Sequence, residues 1–205
     1  MDIQQKLPDP SILELCERWK TNAGEKVLVE LLRALRAGNQ QWPDLLMDLP
    51  KVSNPLAADD LDDLRGIHLP KENLDKVSLA CCDLSYSNLQ RCSLRKTSFQ
   101  RSRLNWVSLD VSDLTEANLF SVEAQFAGFF ACKLTGAMMM SGDFRYSNFA
   151  KAKFKASVLN GSDFTDSTLS NAIFDNAEHR NVIFPNGFNI EQHLSRDNPF
   201  SGREF

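Results

Sequence analysis

The sequence predicts a mainly β fold, a four-sided helix of short strands about six coils tall, with a short α-helical cap at its N-terminal end. Three observations predict it. Every fifth residue from Leu64 to Phe184 is large and apolar: 23 of 25 positions are Leu, Phe or Met, and only Ala124 and His179 depart. Two residues before these, all 22 positions from Val77 to Val182 are Ala, Ser, Cys, Thr, Val or Gly. Ahead of residue 60 the periodicity changes to that of helices.

A period of five belongs to neither common element, since a helix repeats at 3.6 and a strand at 2. It requires a short strand and a turn that recur. A small residue two places before a large one lies on the same side of an extended segment. The large side chain then fills the interior, and the small one fits where the chain bends to the next side. Four sides close a square coil of 20 residues, each coil about 4.8 Å above the last and the whole about 30 Å long. The earlier positions Asp62, Ile67 and Glu72 break the small-residue rule, so the regular pattern begins near Val77.

Asp or Asn precedes the central residue at Asn73, Asp83, Asn88, Asp113, Asn118, Asp143, Asn148 and Asp163, within quintets such as CCDLS, YSNLQ, EANLF and GSDFT. This pattern resembles the pentapeptide-repeat family, with its A(D/N)LXX consensus, over residues 62–184. The resemblance implies a right-handed quadrilateral β-helix, a handedness that spacing alone does not supply.

The domain boundaries follow: 1–60 a helical cap and linker, 61–184 the repeat region, 185–205 a C-terminal tail. An open solenoid end exposes unpaired backbone and bare core, so it calls for a cap. Ser11 with Glu14 makes a capping box for a helix over about 12–20, and Asn22 with Glu25 a second for about 23–37, ending at Gly38. Leu28, Leu31, Leu32 and Leu35 form the apolar stripe of that second helix, and Trp19 and Trp42 are candidate anchors. Residues 43–60 read as turns, Phe184, Phe188 and Ile190 as closure of the last coil, and 195–205 as a polar, disordered tail.

Composition and motifs exclude several function classes. Net charge is −4, with 14 acidic and 14 basic side chains in residues 62–184, so no nucleic-acid partner is expected. The opening MDIQQKLPDP lacks a basic and an apolar region, and no apolar run approaches the ~18 residues of a membrane span. Five cysteines, without a CxxC or zinc-ligand spacing, suit reduced thiols in a bacterial cytoplasm, and no membrane association is expected. Cys82, Cys92 and Cys132 fall at the small inward position and read as buried apolar groups. His68, His179 and His193 lie outside any nucleophile or metal motif, and no glycine-rich phosphate loop is present. Hence no catalytic, cofactor-binding or metal-binding residue is assigned, no cofactor is expected, and the chain is expected not to be an enzyme.

Outward residues 20 apart should stack. One such column reads Gly66, Tyr86, Trp106, Phe126, Tyr146, Asp166, so four of the six outward aromatics of the repeat region share one ridge. Tyr86, Trp106, Phe126 and Tyr146 are the candidate partner-binding residues, unless an aromatic ladder merely supports adjacent strands or the N-terminal helices or tail cover it. Ala124 invites a local bulge that would turn Phe126 inward.

The expectation is therefore a rigid, non-enzymatic scaffold that presents side-chain columns to an unknown protein partner. The apolar Ile183, Phe184 and Phe188 would also permit a homodimer through the C-terminal coil. The alternative that the resemblance implies is a DNA mimic bound to DNA gyrase or a topoisomerase, of the quinolone-resistance type. It calls for a continuous negative face. The column Asp63, Asp83, Arg103, Glu123, Asp143, Asp163 is interrupted by Arg103, and Arg91, Arg95, Lys96 and Arg101 form a basic belt at that level.

Overall fold

The computed structural model of the chain describes residues 10–52 and 61–194. The linker segment 53–60 and the polar tail beyond 194 lie outside the described residues.

From Leu64 onward most quintets repeat one local event. The N–H three residues after a central residue bonds back to its carbonyl, as Val77 to Leu74 (3.3 Å) and Ala117 to Leu114 (3.0 Å). The second residue after the central one takes a positive φ, as a type II turn requires. Gly66, Gly136 and Gly161 fill that position, but so do 21 non-glycine residues from Lys71 to Asn181. Left-handed backbone costs a non-glycine residue about 1–2 kcal/mol, so another force must impose the turn.

That force is the ladder between coils. Each residue before a central one pairs in parallel with the residue 20 further on, from Asp63↔Asp83 through His68↔Asn88 and Glu123↔Asp143 to Asp163↔Ile183. The strands are short: among the described residues only β1 (Asp62–Asp63) and β2 (Cys82–Asp83) exceed a single bridge. Three amides per side carry the ladder, as in Leu89 N–H to Ser108 O (2.8 Å), Arg91 N–H to Asp110 O (3.0 Å) and Asn88 N–H back to Ile67 O (2.9 Å). The architecture is a parallel β-solenoid.

The central residues from Leu64 to Phe174 form one continuous buried core. Leu dominates it at the N-terminal end and Phe beyond residue 129, where stacked pairs (Phe129–Phe149, Phe154–Phe174, both 4.5 Å) alternate with edge contacts such as Phe144–Phe149. The register runs unbroken through Ala124, which is fully buried between its bridged neighbours. No bulge forms there. Gly142, at the small position of the next coil, leaves room for the Phe144 ring, which a Cβ would strike.

The small inward residues are more than space savers. Ser112 Oγ donates to Leu89 O (2.7 Å) and accepts from Cys92 N–H (3.0 Å). Ser102 Oγ binds Leu79 O and Cys82 N–H in the same way, and Cys92 and Cys132 thiols each reach a carbonyl 23 residues back at 2.9 Å. These side chains tie the coils together from inside.

The N-terminal segment comprises α1 (Pro10–Glu17), a 3-10 turn (Arg18–Lys20), α2 (Asn22–Arg36) and a 3-10 stretch (Trp42–Asp48). Thr21 rather than Asn22 caps α2: its hydroxyl accepts the Gly24 N–H at 3.0 Å, so the cap falls one residue earlier than the Asn22–Glu25 spacing suggests. Gly38 (φ +68°) ends the helix. Val27, Leu31 and Leu35 are buried, Leu28 and Leu32 half-buried, and with Trp19, Trp42 and Leu49 they join the core cluster of the first coil. No helix among the described residues is long and apolar enough to cross a membrane.

Candidate functional site

The four predicted ridge residues come together. Each occupies the positive-φ position of its turn, with φ between 56° and 65°. The ladder sets the corners one coil apart, so the rings stack: Tyr86 on Trp106 (5.2 Å between centroids, 12° between planes), Trp106 on Phe126 (5.1 Å, 6°) and Phe126 on Tyr146 (4.9 Å, 8°). Trp106, Phe126 and Tyr146 are 49%, 45% and 47% exposed, and Tyr86 is half-buried. Phe126 points outward despite Ala124.

Among the described residues, α1 covers the column at its foot. Gly66 lies so close to α1 that a Cβ there would stand 2.8 Å from the Leu15 carbonyl. Higher up, Trp106, Phe126 and Tyr146 stay about half open. Their geometry limits what they can bind. Near-parallel stacking hides the facing π faces of the four rings, so along the column the solvent meets ring edges, which carry the positive side of the aromatic quadrupole, while the outer face of Tyr146 has no ring stacked on it among the described residues. Stacking of a nucleic-acid base needs a free ring face, which the two inner rings, Trp106 and Phe126, do not offer. Ring edges suit aliphatic groups, carbonyls and other aromatic faces.

The acidic column beside the ridge is neutralised by arginines. Arg18 Nη1 and Nη2 hold Asp63 at 2.9 Å each, and Arg65 takes the same carboxylate at 2.9 and 3.0 Å. Burial would raise the Asp63 pKa, but hydrogen bonds from Arg65 and Arg18 outweigh it and hold the carboxyl well below the usual carboxylate range. Arg103 bridges Asp83 (3.3 Å) and Glu123 (3.0 Å), and Arg145 holds Asp143 at 2.7 and 2.8 Å. The 20-residue stacking of Asp83, Arg103 and Glu123 was visible in the sequence; the reach of Arg18 across 45 residues was not.

Three further residues act at the rod's ends; Trp19 was a candidate anchor from the sequence, while the roles of Arg18 and His193 escaped sequence reasoning. Within the rod, the carbonyls of Asp83 and Ser85 accept the amides of Leu64 and Gly66 from the coil below, both at 2.9 Å. The equivalent carbonyls of the first coil, Asp63 and Arg65, have no coil below. Arg18 Nη2 donates to both (3.2 and 3.0 Å) and Trp19 Nε1 to the second (2.9 Å). At the other end His193 O accepts Phe174 N–H (3.0 Å), continuing the 19-residue offset of the ladder, and its Nδ1–H donates to Ala172 O (2.9 Å). Phe188 packs on Phe184 at 4.9 Å beside it.

The inward cysteines are buried, and burial pushes the Cys132 thiol up to about 12. His179, at an inward register position, is exposed at the end of the rod.

The family model for pentapeptide repeats matches the chain in eight copies, over residues 63–95 and 143–184. No curated protein matches it. Among solved structures the chain is similar to a pentapeptide repeat protein of the Arabidopsis thaliana thylakoid lumen, at 23% identity and a TM-score of 0.29, over 42% of this chain. The match spans 63% of the length of that protein. It is similar also to a pentapeptide repeat protein of the cyanobacterium Cyanothece (21% identity, 60% of this chain and 87% of that one, TM-score 0.27). Full-length QnrB1, a plasmid-mediated fluoroquinolone resistance protein, matches at 15% identity over 63% of this chain and 88% of that one, with a TM-score of 0.30.

Proposed function

From the premise that this chain is a pentapeptide-repeat protein, we propose that it is a rigid, non-enzymatic scaffold whose aromatic column docks another protein. The rod has about six coils, wound right-handed as the family implies, and the N-terminal helices serve as its cap. The observation that carries the reading is the outward stack of Tyr86, Trp106, Phe126 and Tyr146, with about half of three rings left open to solvent. Mutual stacking supports adjacent corners by about 0.2–1 kcal/mol per pair, which rewards the column without requiring its exposure. Docking uses the edges and exposed area that stacking leaves over. Duplex mimicry is the weaker reading, because Arg18, Arg65, Arg103 and Arg145 occupy the carboxylates that would imitate phosphates.

Trp106→Ala tests the reading. It removes two ring contacts at a solvent-facing site, so stability should fall by less than about 2 kcal/mol in a denaturant titration. Proteins captured from the host by the wild-type rod should be lost by the variant. A larger fall in stability, or an unchanged captured set, counts against a docking ridge.

A further inference from the structure

Beside the lower half of the aromatic column lies a cleft of about 290 Å³. Arg65 enters it from the first coil and Arg103 from the third; Asp83 and Ser85 come from the coil between, and Tyr86 and Trp106 are shared with the ridge. The cleft is built from buried charge: the Arg65 side chain is 4% exposed and that of Asp83 2%. The Ser85 hydroxyl is buried without a hydrogen-bond partner.

The charges around the cleft do not balance on the buried side. Arg18 and Arg65 share the single carboxylate of Asp63. Arg103 divides itself between Asp83 and Glu123, whose side chain is 58% exposed. An ion pair so open to water is worth little, about 0–1 kcal/mol. Three guanidiniums thus face two well-held carboxylates, Asp63 and Asp83. Arg65 spends Nε and Nη2 on Asp63, and Arg103 spends Nε on Glu123 and Nη1 on Asp83. Arg65 Nη1 and Arg103 Nη2 carry no hydrogen bond among the described residues. Guanidinium N–H groups only donate, so the site calls for an acceptor, and the positive charge of the two arginines favours an oxyanion among acceptors. With Glu123 turned to solvent, the one positive charge left over on the buried side matches a monoanion rather than a phosphate dianion.

We propose that the cleft is a carboxylate anchor: an Asp or Glu side chain of the docked protein enters between Arg65 and Arg103, while its apolar neighbours lie along Trp106, Phe126 and Tyr146. The anchor rests on the docking reading and specifies the partner as a segment with an acidic residue next to apolar ones. Glu123 competes with the incoming carboxylate for Arg103.

Phenylacetate, a carboxylate joined to an apolar ring, is the probe, with phenylacetamide as its uncharged twin and inorganic phosphate as the rival oxyanion. Each is titrated into the intact chain while the Trp106 indole N–H resonance is followed by NMR. Phenylacetate should bind saturably and at least about tenfold more tightly than the amide. Arg103→Gln should abolish that preference. Glu123→Gln, a change at an exposed side chain that leaves the core untouched, should tighten phenylacetate several-fold. Equal binding of acid and amide, an unmoved Glu123→Gln variant, or phosphate binding tighter than phenylacetate each overturns the anchor. These failures leave the docking reading standing so long as partner capture still depends on Trp106.

Discussion

Val111 holds a β-branched side chain at φ +65° and is 51% exposed, on the corner across one face from the aromatic ridge. Left-handed backbone is costlier for such a residue than for Asn, which visits it routinely. Asn171, Asn176 and Asn181 show that this rod accepts Asn at the equivalent position. Val111→Asn should therefore raise stability by about 1 kcal/mol, read as a higher midpoint in a urea titration with an unchanged slope. A lower midpoint would mean that the Val111 side chain makes contacts worth more than the strain. The same scale shows where size-based reading of the sequence stops short. Spacing identified Ser102, Ser112, Cys92 and Cys132 as small and inward, which they are. It did not show that their hydroxyls and thiols bond carbonyls 23 residues away. A period records volume and polarity; it does not record the partner of a hydroxyl.

At the scale of elements, the junction between the N-terminal helices and the first coil turns on Asp63. Its carboxyl is depressed in the folded state, so it contributes stability that is fully present above the ordinary Asp value near 3.9 and is lost as pH falls toward the folded value. Asp63→Asn should be less stable than the wild type at neutral pH, and the gap should close as pH falls through about 4 to 2. A gap that stays constant across that range would show that Asp63 is not the titrating group. Helix existence and the apolar stripe through Leu31 and Leu35 were legible from 3.6-residue spacing. The choice of Thr21 as cap was not, because Thr21 and Asn22 are both competent caps and the backbone at Thr21 (φ −74°, ψ 159°) decides between them.

For the whole molecule, the solenoid transmits any fault along its axis, since each side chain packs on those one coil above and below. Leu114 is fully buried midway along the rod, and its amide bonds Lys133 O at 2.7 Å. Leu114→Asp would place an unpaired carboxylate inside that stack, a cost of several kcal/mol against a total stability of about 5–15. It should abolish cooperative folding, seen as loss of the sigmoidal thermal transition by circular dichroism. A folded, cooperative variant would refute the inward register. The ridge belongs to this scale too. Its four members were legible as residues 20 apart, but only the coordinates show that their rings lie within 12° of parallel and turn edges outward.

By itself the sequence determined which residues of the repeat region point inward, which outward, and which share a column. A strict five-residue period multiplied by four sides leaves no other way to bury the large side chains. Tertiary structure alone decided what happens where the repeat stops or its columns meet. Arg18 and Trp19 stand in for the amides of a missing coil, His193 accepts a ladder amide beyond the last regular quintet, and Arg65 closes a cleft with Arg103 from two coils above. A local rule repeated along the chain can be read one quintet at a time. A contact that breaks the rule depends on groups the period does not relate, and only their positions in space bring them together.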